Sequence, residues 1–194
     1  MEPALRELLG ELEEFGSAND ASTDDRSRRM LNITHDTGVF LALLVKATGS
    51  RNVLEIGTSN GYSTLWLADA VGADGSVTTV EKAPSKIALA RQNFARAGLE
   101  SRIRQVEGDA GDVIRSAGDA GYDFVFLDSD RDQYVGWWSD LRRIVAPGRL
   151  IVVDNAISHA HQLVDFTEAV GAAAGYLSSL SPIGNGELVI LKEG

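Results

Sequence analysis

Residues 53–68 read VLEIGTSNGYSTLWLA, and this stretch decides the class of fold. Its first residues are typical of a buried β-strand, and a glycine-rich turn separates them from a helix-forming run after Gly61. In an open α/β sheet, such a unit binds ligands at the carboxyl end of its strand. Gly57 and Gly61 let the backbone approach a ligand closely, and free N–H groups after Gly61 favour an anionic group. We expect a ligand site here, although a purely structural turn would use the same glycines.

Short β-rich runs alternate with helical runs from residue 52 onward. This alternation predicts a Rossmann-like α/β fold, in which a mostly parallel sheet carries helices on both faces. The predicted strands cover 52–56, 76–81, 102–107, 122–128 and 150–154, and the predicted helices cover 61–71, 84–97, 109–117, 132–146 and 160–173. The runs YLSSLSPI and ELVILK predict a C-terminal antiparallel hairpin that turns at Gly184, Asn185 and Gly186.

The first fifty residues differ from this pattern. Residues 1–50 are predicted to form a helical segment that packs on a core of residues 51–194, the whole being one structural domain. The start MEPALRELLGELEEF is amphipathic and acidic, and it lacks the basic start and apolar run of a signal peptide. No apolar stretch is long enough to span a membrane. We therefore expect a cytoplasmic protein.

The composition limits the partners. The 194 residues contain 18 Lys and Arg against 28 Asp and Glu, which gives a net charge of −10. This balance repels phosphate backbones and anionic lipids, so we expect no nucleic-acid partner and no membrane partner. The absence of cysteine excludes disulfides, a thiolate nucleophile and a cysteine-bound zinc ion. A metal ion would need oxygen ligands or one of 3 histidines.

The glycine-rich turn is compatible with two other enzyme classes. Residues 57–61 match G-x-S-x-G, the nucleophile pattern of α/β-hydrolases, for which His159 or His161 would have to complete a triad. A dehydrogenase is a further alternative, but the turn has the spacing G-x-x-x-G instead of the dinucleotide-binding G-x-G-x-x-G. Both alternatives remain open on the turn alone.

Acidic residues lie at or just after the ends of the predicted second and third strands. Glu81 ends the second strand, where a carboxylate is placed to accept hydrogen bonds from both ribose hydroxyls of a nucleoside. Asp109 follows the third strand at a predicted helix start, where it could cap the helix or accept from an adenine amino group.

Five elements therefore occur in one order along the chain: E-x-G-x-x-x-G, the acidic end of the second strand, GDA, FLDSD and VDN. Together they resemble the class I S-adenosylmethionine-dependent methyltransferases, and specifically the cation-dependent O-methyltransferases similar to catechol and caffeoyl-CoA O-methyltransferases. The resemblance covers about residues 28–194. It implies transfer of a methyl group from S-adenosylmethionine to a hydroxyl of a small, catechol-like aromatic acceptor.

The resemblance also implies roles for residues at matching positions. The implied cofactor contacts are Glu55, Gly57, Gly61 and Ser63 at the methionine end, Glu81 at the ribose, Asp109 and Ala110 at the adenine, and Asp128 and Asp130 nearby. Asp130 fits a surface turn equally well.

A divalent cation is implied as well, held by Asp128, Asp154 and Asn155. Oxygen ligands suit magnesium, and alternatively manganese or calcium, better than zinc. The two aspartates follow adjacent predicted strands, and two neighbouring carboxylates repel unless a cation or a proton lies between them. Either aspartate could instead cap a helix.

One position departs from the family. The lysine that commonly serves as general base, three residues after the first metal-binding aspartate, is Arg131 here. A guanidinium stays protonated, so Arg131 could hold an anionic substrate or oppose developing negative charge but could not accept a proton. Either activation of the hydroxyl by the metal suffices, or another group serves as the base, for which His159 and His161 are the candidates. The expected catalytic residues are Asp128, Arg131 and His159.

The resemblance further implies a homodimer, and we expect at least one of Trp137 and Trp138 to meet a partner surface because successive helical residues face different ways. Two alternatives to the expected enzyme stay open. One is a metal-independent methyltransferase acting on another oxygen or a nitrogen. The other is a protein that binds S-adenosylmethionine without transferring its methyl group, which Arg131 keeps possible.

Overall fold

A computed structural model describes residues 1–194. The helices are α1 Pro3–Ala21, α2 His35–Ala47, α3 Tyr62–Ala70, α4 Pro84–Ala97, α5 Ala110–Ser116, α6 Tyr134–Ile144 and α7 Val164–Gly171. The strands are β1 Asn52–Ile56, β2 Ser76–Glu81, β3 Ile103–Glu107, β4 Tyr122–Leu127, β5 Val145–Val153, β6 Tyr176–Ser181 and β7 Glu187–Lys192. They form one seven-stranded sheet in the order β3-β2-β1-β4-β5-β7-β6. Only β7 runs antiparallel to its neighbours, so the predicted Rossmann-like fold with a C-terminal hairpin is confirmed.

Successive residues of each central strand enter different layers of the core. In β4, Phe124 and Phe126 pack under the helices α1 to α4, whereas Val125 and Leu127 pack under α5 to α7. This follows from the period of two along a strand. Both faces are apolar because helices cover both.

The N-terminal helix packs on the same core as the sheet. Leu5, Leu8, Leu9 and Leu12 are buried at the spacing of one helical face, and they join the core cluster that contains β1 residues. Each residue of such a face that leaves water contributes about 1.5–3 kcal/mol to folding.

The chain reverses its strand order between β1 and β4, and this places the site. The backbone N–H of Asp128 donates to Ile56 O at 2.9 Å, and that of Asp154 donates to Leu127 O at 3.0 Å. Loops after β1, β4 and β5 therefore leave the sheet side by side, at the edge where open α/β sheets bind ligands.

Several boundaries differ from the predictions. The predicted N-terminal helical segment consists of two helices, α1 and α2, and Asp20 at the end of α1 accepts hydrogen bonds from Met30 N and Leu31 N in the connection between them. The predicted helix 160–173 is wrong in its first turns: a 3₁₀ turn at Ala160–Gln162 precedes α7. The hairpin connection is also longer than an Asn-Gly turn, since β6 ends at Ser181.

The prediction of a tryptophan left for a partner surface is wrong. Trp137 and Trp138 are 9% and 7% exposed. Trp137 packs against Tyr134, and Trp138 packs edge-on against Phe166 and Tyr176. Both indoles are covered within the chain because α6 packs on the sheet beside α5 and α7.

Candidate functional site

A cavity of about 910 Å³ opens at the carboxyl ends of β1, β2, β4 and β5. Its volume suits a ligand of cofactor size. Its wall includes most of the predicted site residues: Gly57, Glu81, Asp109, Ala110, Asp128, Asp130, Arg131, Asp154, Asn155 and His159. Glu55, Gly61, Ser63 and His161 lie outside this wall.

Glu55 lies beneath the glycine loop. It is fully buried, and its carboxylate accepts hydrogen bonds from Ser63 Oγ and Thr79 Oγ1, each at 2.6 Å, and from the Thr64 hydroxyl. Burial raises the pKa of Glu55 to about 7, against the opposing effect of these three donors. Glu55 and Ser63 thus connect β1, β2 and α3 under the loop.

Glu81 is held in the cavity wall by backbone donors. Its Oε2 accepts from Ser59 N at 3.0 Å, while Oε1 accepts from Lys82 N at 2.9 Å and Ala83 N at 3.0 Å. A carboxylate has about four acceptor positions, so about one remains for a ligand hydroxyl. The carboxylate is thereby oriented before any ligand arrives.

Asp109 and Ala110 form the next part of the wall. Asp109 caps α5 by accepting from Asp112 N at 3.1 Å through Oδ1. The indole of Trp137 also lines the cavity, beside the first turn of α5. A flat ring and a capping carboxylate together suit a heteroaromatic base.

Three acidic side chains adjoin at the ends of β4, β5 and β7. Asp128 is 18% exposed, Asp154 is 3% exposed and Glu187 is fully buried. Asp154 contacts both of the others. Burial, followed by the charge of Asp154, raises the pKa of Asp128 well above its usual range and that of Glu187 to about 10.

The donor set at this edge fits a hard divalent cation. Asp154 Oδ1 is buried without a hydrogen-bond partner, so an acceptor atom is left over beside a second carboxylate. Asn155, at φ +64°, donates from Nδ2 to Asp154 Oδ2, while its Oδ1 accepts from Ser158 Oγ at 3.1 Å. The chain contains no group of three His, Cys, Asp or Glu side chains arranged as metal ligands, so the fit rests on two carboxylates and one amide.

Arg131 and His159 flank the acidic residues. The Arg131 side chain is 6% exposed, and its Nη2 lies 4.0 Å from Asp128 Oδ1. His159 Nδ1 contacts Ser158 Oγ at 2.9 Å. Partial burial and the charges of Arg131 and Arg26 lower the pKa of His159. Its ring is therefore neutral near pH 7 and able to accept a proton.

An N-terminal segment that no motif marked also lines the cavity. Residues 29–32 and Arg26 lie in the wall, and Ser59 Oγ donates to Met30 O at 2.6 Å. Asp20 also holds this segment, because its Oδ1 accepts a hydrogen bond from Met30 N at 2.6 Å. The one available signal was the polar composition of the segment.

The hairpin loop and Glu187 were missed as well. Asn185 lines the cavity, and its carbonyl accepts from Ile157 N at 3.2 Å and Ser158 N at 3.0 Å. Glu187 begins an otherwise apolar strand and accepts from Thr37 Oγ1 at 3.0 Å. A carboxylate directly before the apolar residues LVIL was its only signal.

Sequence comparison shows what the chain is similar to. The sequence profile of a family described as O-methyltransferase matches residues 5–172. A catechol O-methyltransferase of Mycobacterium tuberculosis is 36% identical over 154 residues, which are 79% of this chain and 70% of that protein. A catechol O-methyltransferase of Niastella koreensis is 33% identical over 156 residues, which are 79% of this chain and 71% of that protein.

A solved structure shares the whole fold. The O-methyltransferase from Bacillus cereus in complex with SAH superposes with a TM-score of 0.80 at 26% identity, over 100% of this chain and 92% of that one. None of the helices in this chain combines the length and the apolar character needed to cross a lipid bilayer.

Proposed function

The chain belongs to the O-methyltransferase family, and we propose that it transfers the methyl group of S-adenosylmethionine to a hydroxyl of a small, catechol-like acceptor oriented by a divalent cation. The observation that carries this proposal is the pair of carboxylates in the cavity wall, partly exposed Asp128 beside buried Asp154, with Asp154 Oδ1 unpartnered. The names of the relatives support the acceptor class, and the SAH-bound neighbour supports the cofactor. The enzyme is thus a transferase of the EC 2.1.1 type.

S-adenosylmethionine would lie along the loops after β1, β2 and β3. Glu81 would accept from its ribose hydroxyls, since backbone donors already orient that carboxylate. Asp109, Ala110 and Trp137 would border its adenine. Gly57 and Ser59 would follow its methionine portion, while Glu55, Gly61 and Ser63 would shape the loop from beneath.

The cation would be held by Asp128, Asp154 and Asn155. Magnesium suits this set of oxygen ligands, with manganese or calcium as alternatives. When bound, such an ion supplies Lewis-acid chemistry that lowers the pKa of an acceptor hydroxyl and fixes its orientation.

The chain's own groups would complete the reaction. His159, neutral because its pKa is lowered, would take the acceptor proton on its ring. Arg131 stays protonated, so its role in the cavity wall is to attract negative charge. Loop contacts between Asn185 and the backbone at Ile157 and Ser158 hold the segment that leads to His159. Positioning of this kind contributes much of the rate of a bimolecular transfer.

The remaining expectations belong to the same proposal. We propose a small-molecule substrate, no nucleic-acid or membrane partner, a homodimer and a cytoplasmic location. The acidic charge of −10 supports the exclusion of nucleic acid.

The proposal is tested by measuring methyl transfer from S-adenosylmethionine to catechol in Mg²⁺ and in EDTA. We expect turnover only with the metal, and a loss of at least about 100-fold in Asp154→Asn. The matched control is Asp165→Asn, because Asp165 is an exposed aspartate in the first turn of α7. Full turnover in EDTA would favour a metal-independent methyltransferase. Binding of S-adenosylhomocysteine without turnover on any acceptor would favour a non-catalytic binding protein.

A further inference from the structure

Arg131 is a buried cation without adequate partners. Its side chain is 6% exposed and forms part of the cavity wall. The Nε atom is buried without a hydrogen-bond partner, and the ion pair with Asp128 is long at 4.0 Å. A buried guanidinium is costly unless its donors are satisfied, and each unsatisfied donor adds to that cost. The side chain therefore has unused capacity to bind a planar anion from the cavity.

A second cation reaches the same part of the cavity. Arg26 lines the wall with Arg131 and His159, and the charges of both arginines act on the His159 ring. Two cations therefore lie near the His159 ring, although the chain as a whole has a charge of −10. Arg131 lies beside Asp128, at the end of the cavity where the proposed function places the acceptor hydroxyls.

We propose that Arg131, assisted by Arg26, binds a carboxylate on the methyl acceptor, which makes the substrate class a catechol-like aromatic acid. The proposal rests on the proposed function, because it assigns the remainder of the molecule whose hydroxyl is methylated. The guanidinium fork matches a carboxylate with two parallel N–H donors, an arrangement that a lysine cannot offer. The neutral His159 ring beside it adds no competing negative charge.

Another carboxylate would enter the same cavity, on the methionine portion of the cofactor. Calorimetry on the full chain with Mg²⁺ distinguishes binding of the acceptor carboxylate from binding of the cofactor carboxylate. S-adenosylhomocysteine is titrated alone, and then 3,4-dihydroxybenzoate and its neutral counterpart 3,4-dihydroxybenzamide are titrated into the protein saturated with S-adenosylhomocysteine.

We expect the unsubstituted protein to bind the benzoate at least about tenfold more tightly than the benzamide, as one charge-assisted contact allows. Arg131→Gln is expected to abolish this preference, Arg131→Lys to keep part of it, and Arg91→Gln, at an exposed arginine of α4 outside the cavity, to retain it fully. Equal affinities in the unsubstituted protein would overturn the proposal. It would also be overturned if Arg131→Gln weakened S-adenosylhomocysteine while leaving the benzoate preference intact.

A second variant is needed because substitution of the buried Arg131 could impair folding. Arg26 is exposed, so Arg26→Gln is expected to fold and to lower the preference severalfold. The proposal would also be overturned if the benzoate preference were the same in Arg26→Gln and in Arg131→Lys as in the unsubstituted protein. The binding measurement tests this inference, and the methyl-transfer assay tests the proposed function separately. A benzoate preference without methyl transfer contradicts only the proposed function, whereas transfer to catechol without such a preference contradicts only this inference.

Discussion

A Cβ atom on Gly57 would lie 2.0 Å from the carbonyl oxygen of Asp128. Gly57 also has φ +106°, a conformation that residues with a side chain rarely adopt. The loops after β1 and β4 are therefore in backbone contact, and the cofactor side of the cavity is coupled to the acidic side at this point.

Gly57→Ala is expected to lower the free energy of unfolding by about 3 kcal/mol or more, because backbone strain and a backbone clash act together. Gly72→Ala is the matched control: Gly72 has φ +76° with no atom within 4 Å of an added Cβ. Its cost should be about 1–2 kcal/mol. Urea unfolding measures the free energy of unfolding of both variants. Equal losses would show that the backbone near Asp128 moves to accommodate the added Cβ at no cost.

Glu55→Gln is expected to reduce the pH dependence of stability. The pKa of Glu55 is raised from 4.5 to about 7, so the folded state binds its proton more tightly than the unfolded state. Stability from this group is present at low pH and falls as the pH rises from about 4.5 to about 7. The free energy of unfolding of the variant, relative to that of the unsubstituted protein, should therefore rise by about 2–3 kcal/mol from pH 5 to pH 8.

Urea midpoints at the two pH values test this difference. Asp128 and Glu187 contribute with the same sign in both proteins, so the comparison reports Glu55 together with the part of the raised Asp128 pKa that comes from the Glu55 charge. Parallel stability curves for the two proteins would contradict a raised pKa at Glu55.

Glu81→Gln is expected to weaken S-adenosylhomocysteine binding about 10-fold to 100-fold, since hydrogen bonds to a charged group contribute more than neutral ones. The amide nitrogen would also face a backbone donor from Ser59 or Ala83. Glu107→Gln is the control, because Glu107 pairs with Glu81 at the same end of the neighbouring strand but is exposed outside the cavity. Similar losses in both variants would indicate a general charge effect.

His159→Gln is expected to lower kcat about 10²-fold to 10⁴-fold, the usual contribution of a general base. In the unsubstituted protein, kcat/KM should fall as the pH drops below the His159 pKa, which lies under its ordinary value of 6.5. The variant should lose this acidic limb. His161→Gln should keep it, because His161 is not part of the cavity wall. A pH–rate profile unaltered by His159→Gln would exclude this residue as the base.

The amino-acid sequence by itself determined the fold class and the edge of the sheet at which the cavity lies. Alternating strand and helix patterns specify a parallel sheet, and parallel strands bring their carboxyl ends to one edge. Glu81, Asp128 and Asp154 could therefore be assigned to one site although they are distant along the chain. Local rules were sufficient because each of these residues ends a strand or follows one directly.

Tertiary structure alone decided which side chains are buried and which segments close the cavity. Nothing local predicts that Arg131 is 6% exposed, or that Glu187 bonds to Thr37 across 150 residues of chain. The break in the helix at 160–162 likewise depends on the loop after β5 bonding to Asn185. These features arise from contacts between distant segments, whose free energy depends on packing and burial in three dimensions, and residue spacing along the chain does not encode them.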